Sequence, residues 1–337
     1  MNRLMYIVRN FPQISQTYIR SEIEALRDEW EISVVTLTKP NVPYRRHVPF
    51  REIADPAEIR EAIEEFRPDV LHSHYLNQAD TYAALIAQGL RVPFTFRAHS
   101  FDTLGPGAEL VRRAVPVLNH ELCLGVLSFP FTRPFFEAAG VRPEKIVDCY
   151  PVVNYPLFHD RSPNGEAVMN VGAAIPKKRM EDFVDLAAQL RGTAFDLYAV
   201  GHIVAQLHDY NAARGNVVRI MPPVEPDEMP REYKKHRWLV YTASREMATV
   251  GWPMAVAEAQ ASGVGVCMPN LRPDLRDYVG EAGYLYDSIG EVARIVSRPV
   301  PEEMRELGFE QARKSDVFRH KTILTGLWES AIANVAG

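Results

Sequence analysis

Short apolar runs alternate with helix-spaced segments along the whole of this 337-residue chain, and the pattern runs through twice. LMYIV (4–8), ISVVTL (32–37), DVLHSH (69–74), PFTFRAH (93–99), LCLGVLS (122–128) and KIVDCYP (145–151) read as strands. Residues 15–26, 55–66 and 79–88 carry apolar side chains at helical spacing. Strands separated by helices need crossover connections, so the pattern predicts a mainly parallel sheet covered by helices. DRSPNG (160–165) is polar, holds Pro and Gly, and reads as an interdomain linker. After it the alternation restarts with AVMNVGA (167–173), a helix over 180–190, FDLYAVG (195–201), NVVRIMP (216–222), a short helix over 228–234, WLVYTA (238–243) and GVGVCMP (263–269), and ends in a helix over 322–334. A chain of this length exceeds what one core usually organises. The expected fold is therefore α/β, with two Rossmann-like domains, 1–162 and 163–337. Ligands in such sheets bind beyond the carboxyl ends of the strands, which predicts a site in a cleft between the domains.

Composition narrows the function. With 47% apolar and 24% charged residues the chain is an ordinary globular one, and a net charge of −5 supplies no field for nucleic acid. Basic residues cluster locally, as Arg45-Arg46, Arg112-Arg113, Lys177-Lys178-Arg179 and Lys234-Lys235. Cys123, Cys149 and Cys267 lack metal-ligand spacing and read as buried thiols in a reducing compartment. No apolar run has the ~18 residues of a membrane span, so a cytoplasmic protein is expected, with peripheral contact at the inner membrane face left open.

One helix carries an awkward charge. In GWPMAVAEAQASG (251–263), Pro253 suits a first helical position and Gly263 the left-handed residue after the last turn. The side chains between them are apolar nearly all round, so the helix should be buried, and Glu258 then needs a partner. That partner is either a capping group within the protein or a bound ligand. Upstream, Lys178 stands in the turn between a Gly-ended strand and a helix, where an ammonium meets anionic oxygens as a point charge. Helix N-termini, here and at Pro253, add N–H donors and partial positive charge. The sequence has no GxGxxG after a strand, no GxxxxGK and no GxSxG, which counts against dinucleotide oxidoreductases, P-loop NTPases and α/β-hydrolases. It also has no DxD, so a metal-bridged diphosphate is not expected; no metal and no cofactor are predicted.

GWPMAVAEAQASGVGVCMP (251–269) resembles the C-terminal signature of the retaining GT-B glycosyltransferases of family 4. The likeness extends through FPQISQTYIRSEIEAL (11–26), RPDVLHSHY (67–75), PFTFRAHSFD (93–102), LSFPFTRPFFEAAGV (127–141) and KIVDCYPVVNYPLF (145–158). It implies a GT-B fold, with an acceptor-binding N-terminal domain, a nucleotide-sugar-binding C-terminal domain and a last helix that packs back toward the first. The implied activity is transfer of a sugar from a nucleotide-diphosphate donor, a UDP-sugar by family weight, to a hydroxyl of a glycan, glycolipid or small metabolite, with retention and without metal. The resemblance assigns Glu258 to the ribose hydroxyls, Lys178 to the diphosphate, His99 to the donor sugar and reaction centre, and Asp102 to orienting His99 or meeting the acceptor. Gly201, Met221 and Pro222 fall where the family meets the base, and Val250, Gly251, Trp252, Pro253 and Met254 where its loop lines the donor. The acceptor is expected near residues 15–17 and the loop after His99.

Two positions depart from the family. The first Glu of its E-x7-E motif is Val250, with Glu246 four residues earlier as a candidate substitute, and the usual diphosphate Arg is Ala173, with Arg179 nearby. These departures keep open a non-catalytic partner- or glycan-binding relative; a nucleotide-sugar epimerase is a further alternative.

Overall fold

A computed structural model describes residues 1–13, 16–38, 48–53, 55, 57–190, 192–247 and 249–336. The chain forms two compact units: Met1–Val152 together with the helix Val317–Ala336, and Val153–Asp316. Ser15 and the pair Arg45-Arg46 lie outside the described residues.

In the first unit β1 (Asn2–Asn10), β2 (Trp30–Thr38), β3 (Arg51–Glu52), β4 (Val70–His74), β5 (Phe94–Arg97), β6 (Cys123–Ser128) and β7 (Ile146–Asp148) form one sheet in the order β3-β2-β1-β4-β5-β6-β7. Every pairing is parallel. Met5, Ile7, Leu71, Phe94, Phe96 and Val126 pack with Ile59, Tyr82, Val111 and Leu118 of the helices in one buried core. The helix Val317–Ala336 belongs to this unit. Its Trp328 is fully buried, packs edge-on to Trp30 and donates its indole N–H to Thr95 Oγ1 at 3.0 Å.

The second unit holds β8 (Ala167–Ala173), β9 (Phe195–Val200), β10 (Arg219–Ile220), β11 (His236–Val240), β12 (Gly265–Pro269) and β13 (Gly283–Tyr286), in the order β10-β9-β8-β11-β12-β13, again parallel throughout. Val168, Leu197, Trp238, Val240 and Cys267 pack with Phe183, Leu186, Leu207 and Val296. In both sheets the strand order reverses beside the first strand, and such a reversal opens a crevice at the carboxyl ends of the two neighbouring strands. Here those pairs are β1 with β4, and β8 with β11.

Three expectations shift. The boundary placed at 162/163 moves back to 152/153; the last helix, expected to pack back toward the first domain, lies in the first unit. The polar segment 160–165 is not a linker: its acceptors wrap the Lys234 ammonium, which bonds Asp160 O at 3.0 Å, Ser162 O at 2.6 Å and Asn164 Oδ1 at 3.0 Å. Polarity there serves an internal cation. NVVRIMP contributes only Arg219–Ile220 as strand, with Met221 N–H still bonded to Leu197 O. All three cysteines are free and buried. Among the described residues no helix is long and apolar enough to cross a membrane.

Candidate active site

Lys178 stands at the end of a short turn after β8, at the strand-order reversal of the second unit. The turn is tied to the loop after β11: Thr242 Oγ1 donates to Lys178 O at 2.7 Å, Asn170 Nδ2 donates to Thr242 Oγ1 at 3.0 Å, and Ser244 N–H donates to Lys177 O at 2.8 Å. The ammonium lies over the Tyr241 ring, 5.3 Å from its centroid, and forms no ion pair among the described residues. Gly172 makes room for it, since a Cβ there would collide with Nζ, and its φ of +143° also favours glycine. Burial and the neighbouring Lys177 pull the Lys178 ammonium down to about 8, with Glu258 opposing.

Glu258 is carried by the helix Met254–Ala261, which follows β11. Pro253 is the residue before the first turn rather than within it, with an extended ψ of 132°. Gly263 has the left-handed φ of +71° that ends the helix. Within this buried helix Glu258 has a partner that sequence reasoning missed: Tyr233 donates its hydroxyl to Glu258 Oε2 at 2.7 Å. Oε1 has no hydrogen-bond partner among the described residues. Burial raises the Glu258 carboxyl to about 7, while Tyr233 and Lys178 hold it from going higher. A carboxylate with one free oxygen and an ammonium with no counterion thus follow the two strands at the reversal, close enough that each shifts the other's proton affinity.

The first unit is arranged differently. Parallel register sets Tyr6, His72 and Thr95 side by side across β1, β4 and β5, with His74 beside Arg97 one step further along. Glu22, from the helix Thr17–Leu26, reaches this face and is fully buried. Arg97 donates to its Oε2 through Nε at 3.1 Å and Nη2 at 2.6 Å. Tyr6 OH and His74 Nε2 lie 3.1 Å from Oε1, and His72 Nε2 lies 3.2 Å from it. Burial alone would raise the Glu22 carboxyl, but Arg97, His74 and His72 bring it well below the usual carboxylate range. His74 Nδ1 in turn meets His99 Nε2 at 3.1 Å. Glu22, His72 and His74 stand close enough to suggest metal ligands. The Arg97 guanidinium already supplies the cation there, at a carboxylate with no solvent exposure.

Comparison with known proteins identifies the two units. Residues 15–147 match the family model of the glycosyl transferase 4-like domain, and residues 165–298 match that of the glycosyl transferases group 1. The chain belongs to the glycosyl transferases. Its fold is that of GT-B enzymes. HepE of Anabaena, crystallised with UDP, superposes with a TM-score of 0.77 at 16% identity, covering 98% of this chain and 100% of its own. Sucrose-phosphate synthase of Thermosynechococcus elongatus gives 0.69 at 15% identity, over 99% and 98%. The lipopolysaccharide outer core galactosyltransferase WaaB gives 0.65 at 15%, over 98% of this chain and 99% of its own. Among curated proteins, none matches the sequence.

In this glycosyl transferase the candidate residues fall into three groups. Lys178, Gly201, Met221, Met254 and Glu258 all follow the carboxyl ends of strands in the second sheet; Gly201 has a φ of +119°, and Pro222 is exposed. A second group is occupied elsewhere. Val250 is buried and its carbonyl accepts from Arg272 at 2.6 Å. Trp252 stacks on Tyr278 at 4.9 Å and donates to Asp274 Oδ2 at 2.8 Å, so its side chain props the loop from within; Gly251 is buried beside it. Arg179 is exposed and paired with Asp182 at 2.8 Å, Ala173 is half-buried at the end of β8, and Glu246 is exposed. The third group is in the first unit. His99 is flanked by Tyr18 and Tyr75, with ring centroids at 4.7 and 4.4 Å. Asp102 is fully buried; its Oδ2 accepts His99 N–H at 2.8 Å and its Oδ1 accepts Leu76 N–H at 3.1 Å. Each oxygen thus bonds one backbone N–H, so Asp102 holds the turn that carries His99. Burial raises its carboxyl to about 7 against those two bonds.

The missed residues had sequence signals. Arg97 interrupts an apolar strand, His72 and His74 alternate on another, and Glu22 shares the helical face of Tyr18, Ile19 and Leu26.

Proposed function

We propose that this glycosyl transferase moves a sugar from a UDP-sugar to an acceptor hydroxyl, with retention at the anomeric carbon and without a metal. The observation that carries the reading is the pair at the strand-order reversal of the second unit: an ammonium with no ion pair and a carboxylate with one open oxygen. A nucleoside diphosphate supplies both missing partners. Its diphosphate neutralises Lys178, and its ribose hydroxyls donate to Glu258. The N–H groups at the start of the helix Met254–Ala261 would add partial positive charge for the departing diphosphate. Preorganised donors of this kind act on charge that grows in the transition state, and losing one costs on the order of 100-fold in rate. HepE, which shares the fold, was crystallised with UDP and with UDP-glucose, which favours uridine as the base. In the first unit, His99 is assigned to the sugar.

Titrating the folded chain with nucleoside diphosphates and following thermal unfolding tests the nucleotide half. UDP is expected to raise the midpoint, by the equivalent of about 2.7 kcal/mol at 100 times its Kd. Unchanged UDP binding in Lys178→Ala and Glu258→Ala would overturn the assignment. Anomeric analysis of the product tests retention, and turnover surviving EDTA tests metal independence. Val250 favours a second reading, because a buried valine stands where the family resemblance places a carboxylate for the donor sugar. A chain that binds UDP yet consumes no UDP-sugar would establish that non-catalytic alternative.

A further inference from the structure

The hydrogen bonds of the buried cluster in the first unit leave little freedom for its protons. Trp328 Nε1 is only a donor, so Thr95 Oγ1 accepts from it at 3.0 Å. Thr95 Oγ1 also meets His72 Nδ1 at 2.7 Å, where its second lone pair can accept or its own proton can be given. His72 Nε2 lies 3.2 Å from Glu22 Oε1 without forming a hydrogen bond to it. Glu22 is an anion locked by Arg97 and can only accept. His74, facing the same oxygen with Nε2 at 3.1 Å, must donate there, which leaves a lone pair on its Nδ1. That lone pair faces His99 Nε2 at 3.1 Å, so His99 must donate in turn. The ring nitrogen of His99 outside this chain of bonds is Nδ1; it holds a lone pair, which also faces the backbone N–H of Asp102 in a capping box.

We infer that Glu22, acting through His74, is a positioning device that holds His99 as a neutral imidazole protonated on Nε2, so that the ligand group His99 meets is a hydroxyl and not a phosphate or carboxylate. The inference rests on the reading of His99 as a sugar-facing residue. Orientation of one histidine by a carboxylate through its second nitrogen is a recurrent way to set a tautomer. Here the carboxylate is one imidazole further away. The remaining neighbours agree with a neutral ring: Tyr18 and Tyr75 flank it, the buried Asp102 carboxyl is bonded to backbone, and Arg97 opposes any second positive charge nearby. Burial, His74 and Arg97 push His99 well below the usual histidine range, and burial takes His74 down to about 4, against the pull of Glu22. An imidazole lone pair accepts from a sugar hydroxyl and repels an anion. The cluster thus selects the class of group that His99 receives.

The test is long-range ¹H–¹⁵N correlation on the full chain labelled with ¹⁵N-histidine, with the His99 signals assigned by their loss in His99→Ala. Expected at neutral pH are His74 and His99 both neutral, each with its proton on Nε2. A His99 proton on Nδ1, or on both nitrogens, would overturn the inference without any variant having to fold. His74→Gln supplies the kinetic arm. Its turnover should fall about tenfold, short of the ~100-fold cost of losing a preorganised group outright, while UDP affinity stays as in the parent. If His99 keeps its Nε2 proton in His74→Gln and turnover is unchanged, the positioning role is wrong. If instead His99→Ala transfers sugar at the parent rate, the sugar-facing reading of His99 fails, whatever its tautomer.

Discussion

In the first unit a fully buried carboxylate, Glu22, is surrounded by donors from Tyr6, His74 and Arg97 with His72 close by, whereas the half-buried Glu258 of the second unit has one phenol and a free oxygen. The same residue type in the same doubly wound architecture therefore sits in a closed network in one place and an open one in the other. In the first, burial is overcome by charge and the carboxyl stays ionised. In the second, burial prevails and the carboxyl rises to about 7. A closed network fixes neighbouring groups. An open one keeps bonding capacity for a ligand.

The contrast can be broken most forcefully at Arg97. Arg97→Met leaves the Glu22 charge buried without its cation, which costs about 3–5 kcal/mol, so the thermal midpoint should drop by on the order of 10 °C. A midpoint within 2 °C of the parent, a shift worth no more than about 1 kcal/mol, would show that Glu22 is not held as an anion. Lys178→Ala makes the opposite prediction. It removes a cation that has no ion pair, so stability should hardly change while sugar transfer falls on the order of 100-fold. Loss of fold in place of activity would mean that Lys178 belongs to the structural network.

Acidity separates the two carboxylates next. The folded chain binds the Glu258 proton more tightly than the unfolded chain does, so this group lowers stability as pH rises from the ordinary carboxylate range through 7. Glu258→Gln should therefore raise the midpoint at pH 8 by a few degrees and leave it nearly unchanged at pH 4. In the parent, UDP affinity should weaken as pH falls below 7 and the carboxyl takes up its proton. A UDP affinity flat from pH 8 to pH 5.5 would refute a ribose contact through the ionised form. A smaller effect is expected at Tyr233. Tyr233→Phe removes one hydrogen bond from Glu258, about 1 kcal/mol, and should narrow the preference for UDP over its 2′,3′-dideoxy analogue by several-fold. Equal weakening toward both nucleotides would reduce Tyr233 to packing. Glu246→Ala, at an exposed turn, should change transfer less than twofold; a larger loss would restore it as the substitute for the carboxylate missing at Val250.

Much of the fold was legible because parallel strands buried on both faces leave uninterrupted apolar runs. AVMNVGA, DVLHSH and LCLGVLS lie in β8, β4 and β6 almost to the residue. Elements outside that pattern were not seen. Gly283–Tyr286 is too short and mixed to stand out, and Ala108–Leu118 carries Pro116 inside a helix, which reads as a break. The site was legible in part. Lys178 and Glu258 announced themselves as charges beside glycines and alanines. Trp252 and Val250 could not be assigned by position in a motif, because a loop residue faces inward or outward according to what packs behind it, and here Tyr278, Asp274 and Arg272 do.

The amino-acid sequence by itself determined that this chain would build two α/β units and that one buried helix would carry a carboxylate, since periodicity and glycine and proline punctuation are local properties. Only the tertiary structure decided which charges would be satisfied. Glu22 meets Arg97 across 75 residues of sequence and Glu258 meets Tyr233 across 25, through register and packing that no local pattern encodes. Whether a buried carboxylate stays ionised depends on the donors brought to it, and those contacts form only in the folded chain.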